Sequence, residues 1–188
     1  MTKSIAITKE MIDQAAVSVV RKSGLSALTA RNVANELHCS TQPIYNVYGN
    51  MENLKKVTLV NIQEFITQSI IRYKRTDYEF LDSGLGYIHF AQTEKALFRS
   101  FELNEQSPEH KNNGIGNKKV RELMEMELRT YPFSKKDLDK IFLQIMIFTY
   151  GLAVMHFLDF CEFNEETIAE MLQESFNSFI AQVKGIKE

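Results

Sequence analysis

Residues 28–48 read LTARNVANELHCSTQPIYNVY, and this stretch decides how the rest of the chain is read. Thr29 is a good N-cap, and Val33, Ala34 and Leu37 follow it on one helical face. His38-Cys39 stands where the chain must turn. Ser40 is expected to cap a second short helix. Pro43, tolerated only in a helix's first turn, puts its start at Ser40 or Thr41. Two short helices across a tight turn form a helix-turn-helix, whose second helix enters the DNA major groove with its first residues at the base edges. Tyr45 and Tyr48, three apart, are expected on one face with Thr41, as hydroxyls contacting phosphates would be. The plainer alternative is a helical hairpin inside an all-α core. Ala34, small where two helices must cross closely, favours DNA together with Pro43 and the tyrosines.

Followed outward to Ile12 and Leu54, the stretch resembles the N-terminal domain of the TetR/AcrR family of bacterial transcriptional regulators. The residues that carry the resemblance are Ala15-Ala16, Gly24-Leu25, Leu28-Thr29, Arg31, Val33-Ala34, Ser40, Ile44-Tyr45, Tyr48 and Leu54. Two positions depart from the family pattern. The usual turn glycine is His38, which would have to take a left-handed backbone. The frequent lysine opening the fourth helix is Met51, with Lys55 or Lys56 one turn on to compensate.

Charge divides along the chain in the same sense. Net charge is −2 overall, but residues 1–60 carry seven Lys or Arg against four acids, a net of +3, which leaves −5 for 61–188. Positive charge beside the helix-turn-helix suits phosphate neutralisation. With 44% apolar residues, 8 Gly and 3 Pro, the composition suits a long-helix protein able to bury a core. Cys39 and Cys161 form no disulfide framework, and 1–8 has no signal-peptide pattern, so a cytoplasmic protein is expected.

Nine helices are expected: 8–23, 29–37, 41–47, 51–75, 78–92, 94–105, 117–131, 135–160 and 165–184. The segment 106–117 reads as a loop from its Ser, Pro, Asn and Gly content. The fold class is all-α, with a DNA-binding head over 1–52 and a ligand-binding and dimerisation body over 53–188. The fourth helix would join them without a flexible linker. Ile141–Phe160 is the longest apolar stretch, yet Gln144, His156 and Asp159 interrupt it, so a buried or interface helix is expected rather than a membrane span.

The last two helices are apolar around much of their circumference and so need cover on two sides. One cover is the chain's own core. The resemblance implies the other, because family members dimerise through their last two helices, and Phe148, Leu152, Phe176, Phe179 and Ile180 are the expected interface residues. Tyr87, Phe90, Phe98, Phe101, Phe142, Met146 and Tyr150 would line a cavity for a small hydrophobic or aromatic effector, with His89 or Gln144 as polar handles, unless they simply fill the core.

No phosphate loop, nucleophile elbow or zinc-protease motif occurs, and no catalytic residue, metal or cofactor is expected. The expected function is a homodimeric repressor released from a palindromic operator by a ligand. Arg31, Thr41, Gln42 and Asn46 would reach base edges, and Thr29, Tyr45, Tyr48 and Lys55 phosphates. The competing reading is a helical protein-interaction module that has lost DNA binding.

Overall fold

The computed structural model describes residues 6–103 and 118–185. It is all-α: α1 (Lys9–Ser23), α2 (Ala30–Glu36), α3 (Gln42–Tyr48), α4 (Met51–Ile71), α5 (Glu79–Thr93), α6 (Lys95–Phe101), α7 (Lys118–Leu128), α8 (Lys135–Phe157) and α9 (Glu165–Gly185), with a 3₁₀ turn at Leu25–Ala27. The expected 106–117 loop lies outside the described residues. The described chain divides into two compact units, one reaching Phe65 and taking in 96–103, the other comprising Ile66–Lys95 and 118–185.

In the first unit, Thr8 caps α1 by accepting the Met11 N–H, and Ile12, Ala15, Ala16 and Val19 turn inward as their spacing predicts. They meet Val33 and Ala34 of α2, Ile44 of α3 and Leu54 of α4 in one apolar cluster. Small side chains at 15, 16 and 34 let these short helices approach closely.

The second unit is built on α5. Phe80 through Ile88 are all buried, as are Phe90 and Ala91, so α5 is enclosed on every side. It packs against α7, α8 and α9. Gly84 has Leu172 of α9 and Thr149 of α8 just beyond its Cα, and Gly86 faces the Ile70 carbonyl so closely that a Cβ would lie 2.6 Å from it. Helix α4 stops at Ile71 rather than at 75. The cause is the buried Asp82, whose Oδ1 accepts N–H bonds from Arg75 and Thr76 and a bond from the Thr76 hydroxyl, closing the α4–α5 turn.

Helix α8 begins on a capping box, Ser134 with Asp137, and stops at Phe157 rather than at 160. Asp159 takes φ +56°. The Phe160 N–H then returns to the Met155 carbonyl and the Asp159 N–H to that of His156, a Schellman ending. By length and composition alone Lys135–Phe157 is apolar enough to cross a membrane, and a third of its most apolar window is buried within the fold.

A candidate nucleic-acid interface on the first unit

The α2–α3 turn is a second Schellman motif. His38 has φ +53°, its N–H bonds the Asn35 carbonyl, and the Cys39 N–H bonds that of Ala34. The left-handed conformation expected of His38 is therefore present. At the start of α2 the Thr29 hydroxyl accepts the Asn32 N–H, as expected of an N-cap. The cap of α3 differs from expectation: it is Thr41, not Ser40, its side chain makes no capping bond, and Pro43 sits in the first turn.

Helix α3 sorts its side chains by the four-residue repeat. Ile44 and Tyr48 share the inner face and are buried. Gln42, Tyr45 and Asn46 share the outer face and are exposed, and the Gln42 Nε2 donates to the Asn46 Oδ1 at 2.8 Å. Tyr48 thus parts from Tyr45. Its hydroxyl donates to Asp13 of α1, whose other oxygen accepts from Lys9 at 2.8 Å, and the Lys9 ammonium lies 5.6 Å from the Tyr48 ring centroid. Burial first, then the Asp13 carboxylate, raises the Tyr48 pKa above the ordinary phenol value. The Tyr48 hydroxyl fixes α3 to α1 and is not presented outward as the sequence reading expected.

A matching clamp holds α2. Glu36 Oε1 accepts from Ser18 at 2.8 Å and from Lys22 at 2.5 Å, both on α1. These two partners, Lys22 first, hold the Glu36 carboxyl below its ordinary value. The α3–α4 turn closes through Asn50, whose side chain accepts the Asn53 N–H, and Asn53 in turn donates to the Tyr48 carbonyl at 2.9 Å.

Of the expected DNA contacts, Thr29, Arg31, Gln42, Tyr45, Asn46 and Lys55 are exposed, Thr41 is half-buried, and Tyr48 is buried. Val47, 41% exposed on α3, was missed by the sequence reading. Its place three residues from both the inward Ile44 and the outward Asn50 gave no clear phase.

The expected ligand and interface residues sort differently. Phe98 and Phe101 are buried in the first unit, while Tyr87, Phe90 and Phe142 are buried in the second and Met146 and Tyr150 are half-buried there. The expected set is therefore shared between the two units. Gln144 donates to Gln182, and His89 borders a small cavity. Of the expected interface residues, Leu152, Phe176 and Ile180 turn into their own core, with Phe176 stacked on Phe80 at 3.7 Å between centroids. Phe148 and Phe179 are half-buried. The large apolar residues that α8 turns outward are Leu143, Ile147 and Met155, each at least 42% exposed, with the exposed Gly151 among them and Leu158 exposed just past the helix end. Among the described residues no group of three or more His, Cys, Asp or Glu is arranged to hold a metal, and Cys39 and Cys161 are free thiols.

No family model matches the sequence, and no curated protein is similar to it. Among solved structures the chain is similar to a TetR-like transcriptional regulator from Rhodococcus sp. RHA1, with a TM-score of 0.64 at 15% identity over 95% of this chain and 98% of that one. The likeness is one of fold: the chain has the all-α architecture of a TetR-like transcriptional regulator.

Proposed function

We propose, starting from this TetR-like regulator fold, that the chain is a DNA-binding transcriptional regulator acting as a homodimer on a short palindromic operator. The observation that carries the reading is the outer face of α3. Gln42, Tyr45 and Asn46 stand exposed together on a short helix that Tyr48 and the His38 turn hold against α1 and α2. Gln42 and Asn46 have the amide pairs that match adenine, Arg31 the fork that matches guanine, and Val47 an apolar surface for a thymine methyl. Thr29, Tyr45 and Lys55 supply hydroxyls and an ammonium for phosphates, and Thr41 lies beside Gln42 at the helix start. Residues 1–52 are the DNA-binding part in this reading, and 53–188 carry effector binding and dimerisation.

Dimerisation is assigned to the outward stripe of α8 rather than to Phe176 and Ile180, because the latter already have partners in their own core. Leu143, Ile147 and Met155 repeat at four- and eight-residue intervals, so they align along the helix, and Gly151 leaves room for a second backbone there. The effector is a small hydrophobic or aromatic compound bound in the second unit. It releases the operator by binding more tightly to an arrangement that cannot hold DNA, and α4 is the covalent path between the two parts. A cytoplasmic location follows from the DNA partner.

The test is selection of bound fragments from random DNA with the full chain. A palindromic consensus supports the reading, and recovery no better than a random pool at low salt removes it in favour of the interaction module. Gln42→Ala should then cost about 1–3 kcal/mol and relax one position per half-site. Tyr45→Phe should weaken all sequences alike. Ile147→Asp should leave a folded 21.7 kDa monomer, and a variant that sediments as a dimer would move the interface off α8.

A further inference from the structure

The outward face of α8 is apolar along its middle and oppositely charged at its two ends. Leu143, Ile147, Gly151, Met155 and, just past the helix end, Leu158 follow one another at three- and four-residue intervals, so they form one stripe. Continued towards the start of α8, the same spacing takes in the exposed Lys140 and Lys136. The acids beside these lysines, Asp137 and Asp139, are held by the Ser134 cap and by Arg121. Past the other end stand the exposed Asp159 and Glu162, and from 141 to 183 the chain has six Asp or Glu and no Lys or Arg.

These charges do not serve their own helix. A helix N-terminus favours acids and a C-terminus favours bases, yet the stripe has ammonium groups towards the first and carboxylates beyond the second. They suit a partner that presents the same pattern reversed. A second copy of α8 laid antiparallel presents it.

Symmetry limits how two copies can meet. A two-fold axis that crosses the helix makes the pair antiparallel, and an axis that runs along it makes the pair parallel. In a parallel pair Lys140 would face Lys140 and Asp159 would face Asp159, with like charges at both ends. In an antiparallel pair the basic start of each helix lies along the acidic end of the other. Gly151 stands roughly midway between Leu143 and Leu158, and a Cβ built on it would meet nothing within 4 Å. It is the one member of the stripe with no side chain, so the two backbones come closest there. With the axis at Gly151, Ile147 meets Met155 of the second copy, each four residues from the crossing, and Leu143 reaches its Leu158.

We propose that α8 pairs with α8 of a second copy in an antiparallel two-fold crossing at Gly151, with Lys136 and Lys140 of each against Asp159 and Glu162 of the other. The proposal rests on the homodimer of the function above and adds its orientation and register. The test uses the full chain with Cys39 and Cys161 replaced by serine, one new cysteine at a time, mild oxidation and non-reducing electrophoresis. Gly151→Cys should become a covalent dimer, because a residue on the axis faces its own copy within disulfide reach. Ile147→Cys should not link to itself, its two copies lying about 12 Å apart along the helices, and neither should Met155→Cys. Co-expressed, those two variants should link to each other. Lys140→Glu should weaken dimerisation about ten-fold in sedimentation at low salt, and adding Glu162→Lys should restore it. Self-linking of Ile147→Cys in place of Gly151→Cys, or a Lys140→Glu loss that Glu162→Lys leaves unrepaired, overturns the proposal. A chain that sediments as a dimer while none of the three cysteines links overturns the α8 pairing and leaves the homodimer standing. A chain that stays monomeric at every concentration gives the stripe to another partner, and sinks the homodimer and this register together.

Discussion

Around α2 and α3 the contacts that set geometry are polar and join residues far apart in sequence, whereas around α5 they are mostly apolar and enclose the helix from Phe80 to Ile88. Glu36 is held by Ser18 and Lys22, and Tyr48 by Asp13. Phe80 stacks on Phe176, and α5 is buried from Phe80 to Ile88. The difference has a functional meaning. Clamps reaching behind a short helix leave its outer face unconstrained, so Gln42, Tyr45 and Asn46 are placed without being used. In the second unit Tyr87, Phe90 and Phe142 are consumed by packing, and the recesses that remain lie at the periphery, beside polar side chains.

If the two regions are held as described, substitutions should separate them. The largest effect belongs to the apolar core: Phe176→Ala removes a stacked, buried ring and should cost about 3–5 kcal/mol in chemical denaturation. A loss below roughly 1 kcal/mol would mean that the stack on Phe80 is not structural. Next comes Gly86→Ala, where the new Cβ meets the Ile70 carbonyl, a backbone atom that cannot move aside. A loss of about 1–3 kcal/mol is expected, while Gly151→Ala, with open space around it inside α8, should stabilise the chain by about 0.5–1 kcal/mol.

The polar region should respond more gently. Tyr48→Phe keeps the ring and breaks the bond to Asp13, for about 1 kcal/mol of stability, and Tyr45→Phe should leave stability where it was. Equal stability losses from the two tyrosines would contradict the division of α3 into an inner and an outer face. The smallest effect is on pH dependence. The folded Glu36 carboxyl is held below its ordinary value, so its stabilisation is complete above the unfolded carboxyl's pKa and disappears as pH falls through the folded one. Denaturation midpoints of the native chain and Glu36→Gln should therefore converge in acid below the ordinary carboxylate range and differ at neutral pH. A constant difference across that range would show that the clamp acts without its charge.

Local signals were legible in the sequence and distant ones were not. Thr8, Thr29, Pro43 and the left-handed position at His38 are all read within four residues of where they act. The hold of Tyr48 on Asp13 spans 35 positions, and spacing alone placed Tyr48 with Tyr45 because three and four residues are both neighbourly on a helix. The early stop of α4 depends on Asp82, which lies inside the next helix. For α8 the obstacle is different. A helix apolar on most sides has no phase in its sequence, so Leu152 and Ile147 look equivalent until α5 and α9 claim the first and leave the second. The same ambiguity put Phe98 and Tyr87 in one expected pocket, and the two belong to different units.

The bond between Gln42 and Asn46 has a bearing on how strictly an operator would be read. In the unbound chain one donor of Gln42 is already bonded to the Asn46 carbonyl, so an adenine edge that uses either group must replace an existing partner, and only the difference between the two bonds favours recognition there. At a wrong base the amides are not stranded, because they can return to each other. Discrimination at that position loses the penalty of an unpaired polar group, which is the usual source of stringency. If the chain reads DNA as proposed, it would tolerate variation at the base pairs that Gln42 and Asn46 face. It would regulate a set of loosely related promoters more readily than a single exact one.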